Sequence, residues 1–313
     1  ASKKIQYLYL SAAFSLFLQT IIVYWQFLKQ GSIGLFIESK LNSGLLSDID
    51  ANISLFRPSG TLLFPNETAL ILLILLIFLY PNIAQTKSKF QLIICFMAAL
   101  AIILTQSRTI WFALGISGIL LFFRHRKQIS HSILFLGFKK ILLFSAIIIV
   151  GLSYVLVPRI LLISNIYAEG GAVPTRIEMI NEGIEAFLQS PWIGYGIGTN
   201  EYILHSLFPD GVMSYFPAAV HMGFLQLMLE IGIFGFSAFI YPIWYIGQSL
   251  LSECITFGFS NRAISFFLGV FTFGAYYCFH PHVGIFEFPY LGLIMGQGLI
   301  SIYEYDSNNK KFH

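Results

Sequence analysis

The chain has 313 residues, of which 57% are hydrophobic, 17% aromatic and only 11% charged, and its mean hydropathy is +0.76. Soluble domains average about a quarter charged residues, so a soluble helical protein is excluded and an integral membrane protein with several spans is expected. The net charge of +3 is unremarkable, and nothing in the composition calls for a nucleic-acid partner.

The predicted fold class is all-α: a polytopic helical membrane protein, a single integral membrane domain over 1–313. About eight transmembrane helices are expected, near 5–27, 66–81, 90–105, 109–123, 141–157, 222–247, 263–279 and 288–303. The first apolar run lacks a small-residue cleavage site and reads as a span. Because the chain opens at Ala1, an N-terminal piece is expected to be missing. With both termini cytoplasmic, twelve of the 18 lysines and arginines fall on inner segments, and eleven of the 15 acidic residues fall outside. That asymmetry satisfies the positive-inside rule. Cys95, Cys254 and Cys278 lie in or beside apolar runs without CxxC spacing and read as small core residues.

Two outer segments, 28–65 and 158–221, are long enough to carry function or structure of their own. The first contains Arg57 in RPSGTLLFPN. The short break TQSR (105–108) puts Arg108 at the outer face, where the orientation rule disfavours arginine. A snorkelling residue at a lipid headgroup and a dedicated anion site both explain it. The basic run RHRKQISH (124–131) reads as a cytoplasmic topology signal meeting anionic lipid.

Within the second loop, PTRIEMINEGIEAFLQSP (174–191) predicts a short amphipathic helix. Thr175 and Glu178 form a capping box, Arg176 takes the first helical position, and Ile177, Ile180, Ile184, Phe187 and Leu188 form the apolar stripe. Glu178, Glu182, Glu185 and Gln189 take the opposite face. The glycines of GYGIG (194–198) permit tight turns. His221 stands at the outer lip of span six. Glu230, nine residues on and roughly 13 Å deeper, lies on the far side of the helix, sharing a stripe with Met222 and Gln226. A buried carboxylate there is either functional or hydrogen-bonded to a neighbouring helix. HPHVGIFEF (280–288) offers an incomplete metal-ligand set, and His205 reads as a solvated loop residue.

Four segments together resemble the O-antigen ligase and O-antigen polymerase superfamily of bacterial membrane glycosyltransferases. They are RPSGTLLFPNETAL (57–70), TQSRTIWFALGISGILLF (105–122), PTRIEMINEGIEAFLQSPWIGYGIG (174–198) and VHMGFLQLMLEIGIFG (220–235). Met222 replaces the asparagine usual after the histidine, Ile180 stands where tryptophan is frequent, and eight spans are fewer than usual. The resemblance implies a donor glycan on undecaprenyl pyrophosphate, presented at the extracytoplasmic face of the bacterial inner membrane. It implies an acceptor hydroxyl on a glycan or lipid-linked glycan, inversion at the anomeric carbon, and no nucleotide sugar, essential metal or other cofactor. His221, Arg108 and Arg176 are the implied catalytic residues, with Arg57, Ser107 and Glu230 contacting substrate. Polymerase and ligase share this donor chemistry. A small-anion transporter and a non-catalytic subunit of the same fold are the alternatives, although no internal repeat or interrupted helix, the usual marks of transport, is visible in the sequence. Partner proteins and oligomeric state leave no trace in it.

Overall fold

In the computed structural model, the described residues are 3–36, 56–86, 88–136, 172–216, 218–281 and 287–309. They form ten helices: α1 Lys3–Lys29, α2 Pro65–Thr86, α3 Lys89–Leu104, α4 Arg108–Leu136, α5 Ala172–Gln189, α6 Asn200–Leu207, α7 Val212–Tyr215, α8 Gly223–Phe257, α9 Asn261–Phe279 and α10 Phe288–Asn309. Helices occupy seven of the eight expected span positions. The fifth, 141–157, lies outside the described residues, as do parts of both long loops.

Four of these helices, covering Lys4–Lys29, Pro65–Thr86, Gly223–Thr256 and Asn261–Phe279, are long and apolar enough to cross a membrane, and Phe90–Leu104 is a shorter apolar helix. Leu10 and Phe14 are 66% and 61% exposed, and Phe234 and Ile255 are 63% and 87% exposed. Large apolar side chains this bare in water would be anomalous; against hydrocarbon they are ordinary. The fold is that of a polytopic helical membrane protein.

Three expected ends shift outward for local reasons. Helix α2 continues past Pro81 to Thr86, since a proline is tolerated where neighbouring groups take up the freed carbonyl. Helix α4 runs through the basic segment to Leu136, because 124–136 contains neither glycine nor proline to stop it. Helix α8 extends to Phe257 and ends at Gly258, whose φ of 84° suits a residue without Cβ.

The chain divides into two compact units. One comprises Ala1–Ala12, Ile74–Lys89 and Asn165–His313; the other comprises Ala13–Leu73 and Phe90–Ser164. In the first, α8, α9 and α10 pack closely through small residues: Gly269 lies against Ile294, and Gly298 against Ile246 and Phe266. Buried polar groups join its helices. Tyr9 and Gln297 bond to each other, Gln297 Nε2 also donates to Phe78 O at 3.2 Å, and Ser265 Oγ donates to Ile77 O at 2.7 Å. Interhelical bonds of this sort and close glycine contacts are how helices associate in lipid, where apolar burial offers no net drive.

Helix α5, short helices α6 and α7, and the start of α8 share a separate core around Met179, Ala186, Leu204, Met213, Leu225 and Leu229. Helix α5 is amphipathic, but its buried face is rotated from the expected stripe. Met179 and Ala186 are fully buried, Ile180 and Phe187 pack beside them, and Gly183 lets Leu225 approach. Ile177, Ile184 and Leu188 are exposed instead. Small Gly183 and Ala186 permit the close approach that a face of three isoleucines would block. The acidic face is also not simply solvated: Glu182 Oε1 accepts from Val212 N at 2.9 Å and Glu178 Oε2 from Tyr215 Oη at 2.5 Å, tying α7 down.

Candidate active site

The break between α3 and α4 is built from buried polar residues. Thr105, Gln106 and Ser107 are all at most 1% exposed. Gln106 adopts φ 58°, a left-handed turn rare outside glycine, asparagine and aspartate. Its Nε2 donates to Phe56 O at 3.3 Å, fixing the turn to the segment before α2. Arg57, from that segment, donates through Nε to Thr105 O at 3.2 Å and through Nη2 to Asn66 Oδ1 at 2.8 Å. A guanidinium on a terminal carbonyl of α3 complements the negative end of that helix dipole. Gln26 holds Gly60 by a pair of bonds, Gly60 N to Oε1 at 2.8 Å and Nε2 to Gly60 O at 2.9 Å. The RPSG and TQSR segments are thus stitched together within one unit.

Arg108 opens α4, at the positive end of that helix dipole, a position that favours an anion. Ser107 Oγ, directly before it, is buried and hydrogen-bonds to none of the described residues.

The other unit contains Arg176, His221 and Glu230. Helix α5 begins at Ala172, so Arg176 lies in its second turn and not at the first position. The expected capping box is corrected accordingly: Thr175 is inside the helix, and Glu178 serves Tyr215. Arg176 remains near His221, because its charge is the second cause, after burial, that lowers the His221 pKa to about 4. His221 lies on the stretch before α8. Its Nδ1 is 3.0 Å from Ala219 O and its backbone N–H points to Met179 Sδ at 3.3 Å; the Phe216 ring lies 5.8 Å away. A carbonyl only accepts, so Nδ1 carries the proton and Nε2 presents its lone pair.

Helix α8 is not one continuous rod. Gly232 has φ 64° and ψ −176°, a complete break. Phe224 and Phe236 come within 6.1 Å across it, whereas twelve residues of straight helix would separate them by roughly 18 Å. The expected single span at 222–247 is therefore a short helical segment, a reversal at Gly232, and a span beginning near Ile233. No interruption is legible in the run of residues itself, because the break depends on a partner elsewhere in the chain. That partner is the glycine loop. Tyr195 N and Gly196 N donate to Leu229 O and Glu230 O at 2.9 and 2.8 Å, and Ile233 N and Phe234 N donate to Pro191 O and Trp192 O at 2.8 and 3.2 Å. Four backbone groups freed by the break are satisfied by backbone, and Trp192 stacks on Phe234 at 5.5 Å.

Glu230 is 3% exposed and turns inward. Its Oε1 accepts from Asn200 Nδ2 at 2.7 Å and from Gln226 Nε2 at 3.3 Å. The latter bond runs along the stripe expected from the sequence. Asn200, at the start of α6, stands in no motif segment, and nothing in its immediate neighbours singles it out. Met222, the N-cap of α8, makes no side-chain cap, and the Gly223 N–H instead donates to His280 O at 2.9 Å. In the HPHVG turn, residues 282–286 lie outside the described residues, and Glu287 Oε2 accepts from Tyr277 Oη at 2.8 Å.

The described residues define a helical membrane protein with Arg108 at a helix beginning and, in the other unit, Arg176 and an oriented His221. Residues 93–240, a little under half of the 313, match the family model described as O-antigen ligase, which places this segment in the O-antigen ligase and polymerase superfamily. The match spans Arg108, Arg176, His221, Asn200 and Glu230 and stops short of Arg57. Among curated proteins no match to the chain was found. The family's name associates the segment with glycan transfer in O-antigen biosynthesis, in a bacterial membrane.

Proposed function

We propose that the protein transfers a glycan from an undecaprenyl-pyrophosphate-linked donor to an acceptor hydroxyl at the extracytoplasmic face of the bacterial inner membrane. The acceptor oxygen forms a bond to the anomeric carbon from the face opposite the pyrophosphate. The bond from that carbon to the pyrophosphate oxygen breaks, which inverts the centre, and the electron pair leaves with undecaprenyl pyrophosphate. The acceptor proton goes to His221 Nε2. Arg176, in the unit that holds His221, is assigned to the diphosphate, where charge grows as the bond breaks, and Arg108, with the α4 N-terminus, is assigned to an anionic group of the substrate. Arg57 serves by holding the α3–α4 break in which Arg108 stands.

The observation that carries this reading is His221: a half-buried imidazole whose Nδ1 is committed to Ala219 O, leaving Nε2 unprotonated, with the charge of Arg176 helping to keep it neutral. A diphosphate drawn to Arg176 neutralises that charge and raises the imidazole pKa, so the base strengthens when donor binds. A small-anion transporter fits less well. The interruption in α8 could have coordinated an ion, but its four freed backbone groups are already bonded to residues 191–196.

Single replacement of Arg108, Arg176 and His221 tests the proposal in cells lacking the native copy. Each is expected to lower surface-polysaccharide formation by on the order of 100-fold or more and to accumulate lipid-linked precursor. Surface glycan of normal amount and chain length in all three variants rejects it. Loss of long chains alone marks a polymerase; loss of transfer to the final acceptor marks a ligase.

A further inference from the structure

Beyond the groups that meet substrate, an unbroken run of hydrogen bonds reaches His221 from inside the module. The residues 218–222 belong to no helix, so helical bonding does not set the direction of their peptide planes. One of these planes joins Ala219 to Val220. Its carbonyl oxygen is the partner of His221 Nδ1 at 3.0 Å, and its N–H donates to Asn200 Oδ1 at 3.3 Å. The peptide unit is planar, so fixing the N–H also fixes the carbonyl that orients the imidazole. Asn200 is itself fixed on its other side, Nδ2 donating to Glu230 Oε1 at 2.7 Å, and the two residues are 5% and 3% exposed. Gln226 Nε2 adds a second donor to the same carboxyl oxygen at 3.3 Å.

We propose that Asn200 is a positioning residue for His221, acting through the Ala219–Val220 peptide and braced by Glu230. Asn200 never touches substrate. It selects the imidazole tautomer with the proton on Nδ1 and keeps Nε2 pointed where the acceptor hydroxyl must arrive. An amide is suited to the place because it accepts on one side and donates on the other. The glycine loop that packs into the α8 break ends at Thr199, so the same contact that bends α8 at Gly232 also delivers Asn200 to Glu230. This inference rests on His221 being the base of the proposed reaction.

The test uses membranes containing the full chain, supplied with lipid-linked precursor extracted from a strain blocked at this step. Asn200→Asp keeps an oxygen for Val220 N–H but removes the donor to Glu230 and opposes two carboxyl groups. It is expected to lower kcat on the order of 10–100-fold, as loss of an outer orienting partner does elsewhere, while KM for the precursor changes by less than about threefold. Combining N200D with E230Q reverses the sense of the bond, the new amide at position 230 donating to the new carboxylate at position 200. The pair is expected to recover most of the lost kcat, a strongly non-additive result. Wild-type kcat in N200D, or a folded double variant no better than N200D, overturns the proposal. Should N200D fail to fold, Glu230→Ala, which leaves Asn200 unbraced, must lower kcat at nearly constant KM; full kcat in that variant overturns it equally. His221→Ala separates the two levels. Full activity in H221A rejects the proposed reaction itself, whereas an inactive H221A with unaffected Asn200 and Glu230 variants rejects only the positioning role.

Discussion

At the scale of single residues the decisive feature is how His221 is kept neutral. Burial first, and the charge of Arg176 second, hold its pKa near about 4, against the pull of the bond to Ala219 O. An unfolded histidine titrates near 6.5, so the fold favours the neutral ring. The contribution to stability is complete above about 6.5 and is lost progressively as the pH falls to about 4. For activity, kcat/KM reports the free enzyme, and its acid limb is expected near about 4 and not near neutrality. The limb in kcat should lie at higher pH, because bound diphosphate offsets the Arg176 charge. Arg176→Gln should move the residual kcat/KM limb upward. A limb that stays at the same pH in R176Q contradicts the electrostatic coupling. Sequence pointed to His221 and Arg176 as candidate catalytic residues, since both sit in motif segments. It could not supply the tautomer, which depends on where a carbonyl two residues away points. Nor could it supply Asn200, whose partners lie 20 and 30 residues along the chain.

At the scale of elements, the break in α8 and the glycine loop make one interlocked unit. A Cβ on Gly232 would lie 2.3 Å from Trp192 O, and one on Gly194 would lie 2.5 Å from Leu229 O; both residues have positive φ. Neither obstacle can move, since both are backbone atoms that also bond across the break. Gly232→Ala and Gly194→Ala are each expected to cost roughly 3 kcal/mol or more, read as a fall in the thermal midpoint of the detergent-solubilised protein. Gly198 is the control: its φ is also positive, at 76°, but nothing lies within 4 Å of where a Cβ would stand, so Gly198→Ala should cost only about 1–2 kcal/mol. Equal losses at all three positions would mean that backbone angle alone, and not the interlock, sets the requirement. The spacing of these glycines was visible in the sequence as permission to turn. What they make room for was not, because helix and loop are separated by more than 30 residues.

At the scale of the whole molecule, composition and length dictate a helical membrane protein, and the described helices agree with it. The proposed orientation makes a prediction of its own. In a chain with Cys95, Cys254 and Cys278 changed to serine, a cysteine placed at Asp210 should react with a membrane-impermeant maleimide added to intact cells. A cysteine at Ser88 should react only after the membrane is opened. The reverse pattern would put the proposed site in the cytoplasm, where the lipid-linked glycan of the proposal is not presented. Helix α8 also shows why span counting by hydropathy has a limit. Its 35 residues would extend roughly 52 Å as a straight rod, well beyond a hydrocarbon core of about 30 Å. The excess is resolved by bending at Gly232, which leaves the part before the break to the core shared with α5, α6 and α7.

The sequence by itself determined the class of fold and the places of the long apolar helices among the described residues, and it singled out Arg108, Arg176 and His221 as candidates. Those properties are local or additive: apolar run length, charge asymmetry, and residue types at short spacings. Only the tertiary structure decided the buried face of α5, the reversal in α8, the lowered pKa of His221 and the brace formed by Asn200 and Glu230. Each of these arises from a contact between segments far apart in the chain, where burial, backbone hydrogen bonding and a neighbouring charge act together, and no periodicity along the sequence records which segment will be the neighbour.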